Sequence, residues 1–140
     1  MHTIEVSPQF NEEEADAIYR GIGIYNTPYF GNIKTVPVLI TLKKETLVEG
    51  GLIGWMRPGM HLLFIDMVWV QDDLRRNGYG SKLMLKAEEV GKHHNCTHSQ
   101  LETLSFQARG FYEKLGYKEI GIVEKWYGEH DAFYMRKSLK

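Results

Sequence analysis

Two arginines followed by two closely spaced glycines, Arg75-Arg76-Asn77-Gly78-Tyr79-Gly80-Ser81, stand directly before a helical pattern. The first turn of a helix carries backbone N–H groups with no internal partner, and the aligned peptide dipoles add partial positive charge there. Glycine at Gly78 and Gly80 removes Cβ atoms that would hold a ligand away, and it permits the positive φ values that aim successive amides at one point. Arg75, Arg76 and Lys82 add full charges, so the chemistry served is local anion binding, as of a phosphate. A dinucleotide fingerprint is excluded because Leu83 stands where a third small residue is required, and a Walker loop is excluded because no Gly-Lys-Ser/Thr follows. A lone Gly-x-Gly is also what a flexible turn feeding a helix looks like, so the surrounding sequence has to decide.

A second chemical candidate is Asp66, the only charge in the run Leu62 to Val70. Strand alternation would set residues 66, 68 and 70 on one face, and burial among Phe64, Ile65 and Met67 would raise the carboxyl pKa. Backbone donors or Arg136 satisfying that carboxylate is the competing reading. Cys96 lies at a helix end with no motif around it and reads as an inert thiol. His93, His94 and His98 beside it have a spacing that does not converge on one ion, so no metal is expected.

These residues need elements to position them. The segment Met1 to Val6 alternates as a strand does, and Asn11 then opens a helix, with Glu14 placed to reach back in a capping box. Gly23 to Gly31, carrying Tyr25, Pro28, Tyr29 and Phe30, reads as a loop or broken second helix whose rings wall a pocket. Three apolar runs, Val36 to Leu42, Leu47 to Met56 and Leu62 to Val70, have short separators that favour an antiparallel meander. From about Gly80 to His93 the pattern is helical: Leu83, Met84, Ala87 and Val90 share a face, while Lys82, Glu88, Glu89 and Lys92 are assigned to water. A strand (99–104), a helix (107–115) and two strands (117–124 and 132–139) complete the chain. The strand–helix–strand unit from Leu62 to Leu104 requires a parallel pair in an otherwise mostly antiparallel sheet, so the fold class is mixed α/β.

With 140 residues and no repeat or linker, the chain is expected to form one domain over 1–140. A formal charge of -1, from 17 basic and 18 acidic residues, offers no broad attraction to nucleic acid or to a membrane surface, so neither is expected as a partner. No apolar run approaches the ~20 residues that span a bilayer. The start of the chain lacks a basic and a long apolar segment, so the expected location is cytoplasmic.

Arg75-Arg76-Asn77-Gly78-Tyr79-Gly80 fits Q/R-x-x-G-x-G/A after an apolar strand, and Ala108-Arg109-Gly110-Phe111-Tyr112-Glu113-Lys114-Leu115-Gly116-Tyr117 follows about 30 residues later. Together these resemble the GNAT superfamily of acyl-CoA-dependent N-acyltransferases, and Ser105-Phe106-Gln107-Ala108 resembles a bacterial subgroup of small stand-alone members. The resemblance implies a central, mostly antiparallel twisted sheet with one parallel crossover pair, flanked by about four helices. It implies acetyl-CoA as co-substrate, its pyrophosphate on amides of Arg76, Asn77, Gly78, Tyr79, Gly80 and Ser81, and its pantetheine arm along Val68, Trp69 and Val70. One amide there would polarise the thioester carbonyl. Valine at Gly78 or Gly80 is then expected to block the cofactor and leave the fold intact.

At Ser105 the family often carries an asparagine that contacts the cofactor, so serine is a departure. Tyr112 matches a tyrosine that protonates the departing thiolate; its alternative is packing beside Phe111. An amine acceptor must lose a proton, and Asp66 is the implied base, with Glu102 or a water relay in reserve. The implied reaction is acetyl transfer to a primary amine of a small molecule or peptide by direct attack in a ternary complex. A non-catalytic acyl-CoA-binding module is the alternative. Dimers are common among relatives, so a homodimer is open.

Overall fold

The computed structural model describes residues 1–31 and 34–140 and divides the chain into two compact units, residues 1–33 and 34–140. In the first unit a single helix, α1 (Glu12–Phe30), follows the Asn11 cap, whose side chain accepts the Glu14 N–H at 3.0 Å. The expected reciprocal half of the capping box is absent, because the Glu14 carboxylate accepts from Ser7 Oγ at 3.1 Å instead. The Gly23 to Gly31 segment does not break. Isolated glycines cost a helix only about 1 kcal/mol each. Pro28 has no N–H to give the Ile24 carbonyl, a local cost taken two residues before the helix ends, and Gly31 follows the last turn with φ 67°. The alternation of Met1 to Val6 produces no strand: Ile4 and Val6 are exposed and among the described residues no strand pairs with them, and alternation without pairing does not make a sheet.

The second unit is a six-stranded sheet in the order β1-β2-β3-β4-β6-β5. Strands β1 (Val36–Lys44), β2 (Leu47–Arg57) and β3 (Leu62–Val70) form the expected antiparallel meander. Helix α2 (Tyr79–His93) then crosses to β4 (His98–Leu104), which pairs parallel with β3. After α3 (Arg109–Lys114), β5 (Lys118–Tyr127) and β6 (His130–Ser138) form a hairpin, with β6 antiparallel to β4. Among the described residues three α-helices and two short 3-10 turns, Pro58–Met60 and Asp72–Leu74, stand where about four helices were expected, because α1 is continuous. Among the described residues no helix is long and apolar enough to cross a membrane.

The core lies between α2 and the sheet. Leu83, Met84 and Ala87 of α2 bury against Val38, Leu52, Met56, Leu63 and Ile65, and Gly91 lets the helix approach until Leu63 lies 3.2 Å from where a Cβ would stand. Val90 is half-buried at the margin. Glu88, expected at the surface, is instead 4% exposed within this face. It follows Met84 by four residues, so helical geometry carries it inward with the apolar stripe.

Two features of β3 open a wedge in the sheet. Ile53 pairs with Met67 but Gly54 with Ile65, so Asp66 is an extra, bulged residue. Parallel pairing with β4 stops at Ile65 and Leu101, leaving the rest of β3 with β2 on one side and, among the described residues, no strand on the other.

Candidate active site

The bulge changes the phase of β3 at Asp66. Leu63 and Ile65 are buried before it, and Val68 and Val70 are the half-buried positions after it. Asp66 is therefore exposed, not buried as expected, and the single face for residues 66, 68 and 70 is interrupted at Asp66 itself. It faces the wedge with Glu102 of β4.

At the other end of β3 the chain turns into α2. Gly78 caps the helix in a left-handed conformation, φ 79°, with no side-chain hydrogen bond, and Arg76 is left-handed at φ 65°. Left-handed residues in so short a turn belong to the backbone geometry of an anion nest. Among the described residues the N–H groups of Arg76 to Ser81 donate to no protein acceptor, whereas the next, Lys82 N–H, bonds Gly78 O at 3.1 Å. No heavy atom lies within 4 Å of the position a Gly78 Cβ would take, while a Cβ at Gly80 would meet the Phe111 ring at 3.2 Å. Gly80 thus allows α3 to approach α2 as well as leaving the turn bare. This cradle, rich in unpaired donors, fits a diphosphate.

The side chains of the turn divide the work. Asn77 bends back to donate to Leu74 O at 3.0 Å and Arg75 O at 3.2 Å. Arg75 donates through Nε to Val70 O at 2.9 Å and pairs with Asp72 at 2.8 Å, so it braces the β3–α2 connection. Arg76 makes no ion pair among the described residues and lines the cavity over the cradle.

That cavity, about 460 Å³, is walled by Val68, Val70, Gly78, Gly80 and Tyr112. A second, about 580 Å³, is bounded by Trp69, Asp66, Glu102, Phe106, Gln107 and again Tyr112. A third, about 340 Å³, shares Asp66, Glu102 and Gln107 with the second and adds Tyr134 and the Trp55–Phe64 stack, whose rings lie 4.1 Å apart. Tyr112 thus stands in the wall common to the cradle cavity and the acid-lined one. Its ring packs edge-on against Phe111 at 5.0 Å and Tyr117 at 6.1 Å, and burial raises its hydroxyl pKa. Burial, and then the neighbouring charge of Glu102, also raise the pKa of Tyr134, the cross-strand partner of Glu102.

Residues 8–117 match the family described as "Acetyltransferase (GNAT) family". The chain belongs to the GNAT acetyltransferases. It is 40% identical over 72 residues to the blasticidin-S acetyltransferase of Streptomyces morookaense, a match spanning 51% of this chain and 52% of that protein. It is 29% identical over 112 residues to an acetyltransferase of Agrobacterium fabrum, spanning 79% and 80% of the two chains. The crystal structure of an acetyltransferase from Bacillus cereus superposes with a TM-score of 0.82 at 29% identity, covering 96% of this chain and 97% of the other. GNAT acetyltransferases use acetyl-CoA as co-substrate.

For this GNAT chain, Ser105 lies away from the cradle. Its N–H bonds Asp131 O at 2.9 Å and its Oγ meets His130 Nδ1 at 3.1 Å, so it ties β4 to the β5–β6 hairpin. His130 in turn stacks edge-on against Phe106 at 4.8 Å, which brings that hairpin to the border of the acid-lined cavity. Sequence reasoning missed Gln107, whose Oε1 accepts the Leu104 N–H at 2.7 Å, and the Tyr134 and Trp55 walls. Nothing local marks them; pairing across the sheet assembles them. Tyr25, Tyr29 and Phe30, expected to wall a pocket, are exposed along α1. Cys96 is buried and its thiol pKa is raised by that burial, which makes it a poor nucleophile.

Proposed function

We propose that this acetyltransferase moves the acetyl group of acetyl-CoA to a primary amine by direct attack in a ternary complex. The bound co-substrate supplies an activated thioester. The amides of residues 76–81 hold its diphosphate, and an amide within Val68 to Val70 polarises the carbonyl. Asp66 or Glu102, directly or through a water, takes the amine proton as the C–N bond forms. Tyr112 donates its proton to the sulfur as the C–S bond breaks; a hydroxyl whose pKa is raised stays neutral and serves as a donor rather than a base.

The single observation that carries this reading is Tyr112 in the wall shared by the amide-lined and the acid-lined cavities. An amine acceptor is supported by charge, since among the described residues Asp66 and Glu102 are the charged ones lining the third cavity and both attract an ammonium group. The blasticidin-S acetyltransferase likeness favours a small-molecule acceptor over a peptide.

The test combines binding with turnover. Acetyl-CoA is expected to raise the melting temperature, and a panel of small primary amines is expected to include at least one that releases free thiol. Thermal protection without thiol release from any amine would assign the chain to the non-catalytic acyl-CoA-binding alternative.

A further inference from the structure

Burying a carboxylate on an apolar helix face is costly unless it is paired, and a well-packed apolar side chain is often at least as stabilising as a buried ion pair. Glu88 of α2 therefore calls for a reason beyond stability. Its Oε1 lies 2.6 Å from Lys137 Nζ on β6, and its Oε2 lies 3.3 Å from the Tyr117 hydroxyl, which is also 2.7 Å from Ser99 Oγ on β4. A phenol has one proton. Donating it to the carboxylate leaves Tyr117 accepting from the fully buried Ser99, so the order is Ser99 to Tyr117 to Glu88, closed by Lys137.

The far end of this cluster reaches Tyr112. Tyr117 donates its backbone N–H to Tyr112 O at 3.1 Å and packs its ring edge-on against the Tyr112 ring. Gly116, at φ 96°, makes the turn that folds Tyr117 beneath α3, and Lys137 Cε lies 3.4 Å from its missing Cβ. Within α3, Phe111 rests on Gly80 in the cradle turn. α3 is thus pinned to α2 at two separated points, with Tyr112 between them.

We propose that Glu88, Lys137, Tyr117 and Ser99 form a positioning device that holds the Tyr112 hydroxyl at a fixed place relative to the cradle at the start of α2. The inference rests on the donor role given to Tyr112 above. These residues touch neither cavity as binding groups; they act through Tyr112.

A double-mutant cycle on the full chain tests it. Tyr117→Phe keeps the ring and removes the hydroxyl, and it is expected to lower kcat by about tenfold, within the coupling range of residues in contact, with KM for acetyl-CoA unchanged. In a Tyr112→Phe background the same change should cost nothing further. Additive losses, or an unchanged kcat in Tyr117→Phe, overturn the proposal. A second readout needs no turnover: with 3-fluorotyrosine incorporated, and Tyr112 assigned through Tyr112→Phe, Tyr117→Phe should shift or broaden the Tyr112 fluorine resonance while exposed Tyr127 stays in place. An unmoved Tyr112 resonance overturns it equally. If no amine supports turnover, the reaction assignment fails and the fluorine experiment alone decides the positioning role.

Discussion

Asp66 and Glu102 face the same wedge from different strands, and their surroundings separate them. Glu102 stands on a regular strand beside Tyr134, its cross-strand partner on β6, whereas Asp66 sits on a bulge where β3 has parted from β4. A carboxylate on a strand paired on both sides suits orienting an ammonium group, and one on the bulge two residues from Val68 suits taking the proton. Asp66→Asn is expected to lower kcat by about 10²-fold, in the range of a lost general base, with KM for the amine little changed. Glu102→Gln should mainly raise KM for the amine. Thiol-release kinetics over a range of amine concentrations check both, and the reverse pattern would exchange the roles. The sequence pointed to Asp66 because a lone charge in an apolar strand is visible locally, and to Glu102 as the reserve on the next strand. It misplaced Asp66 in the core, because a bulge depends on the partner strand.

The glycine turn works at the scale of an element. Its amides are open because no side chain caps α2, and Gly78 supplies the left-handed residue from which the helix starts. Gly78→Ala forces a Cβ into that conformation at a cost of roughly 1–2 kcal/mol. The methyl otherwise meets no neighbour, so the protein should still fold, with a lower melting temperature and a smaller stabilisation by acetyl-CoA in the same thermal-shift assay. Gly80 behaves differently from the sequence expectation. Any side chain there pushes on the Phe111 ring, so valine would disturb α3 as well as the ligand. The turn, the helix and its apolar face were legible because backbone sterics and periodicity act over a few residues. Arg75 was legible as a charge but not as a brace, since Asp72 and the Val70 carbonyl claim it only once the chain turns.

For the whole molecule, buried tyrosines join α2, α3 and the sheet, and they set a pH limit. Burial is the leading cause that raises the pKa of both Tyr112 and Tyr117 above the usual value of about 10. Above that pH the folded protein binds more protons than the unfolded chain, so stability is fully present below about pH 10 and falls as pH rises beyond it. Urea midpoints measured from pH 8 to pH 11 should show the decline, and Tyr117→Phe should flatten it. Composition and short-range pattern alone determined the mixed sheet, its meander, the crossover helix and the bare anion turn, since each follows from steric or hydrophobic rules within one element. Tertiary structure alone decided that β3 and β4 part at Asp66, that Tyr112 stands between two cavities, and that the inward-facing Glu88 is paired by a lysine 49 residues away. Those outcomes depend on strand register and on partners distant in the chain, and no local periodicity encodes either.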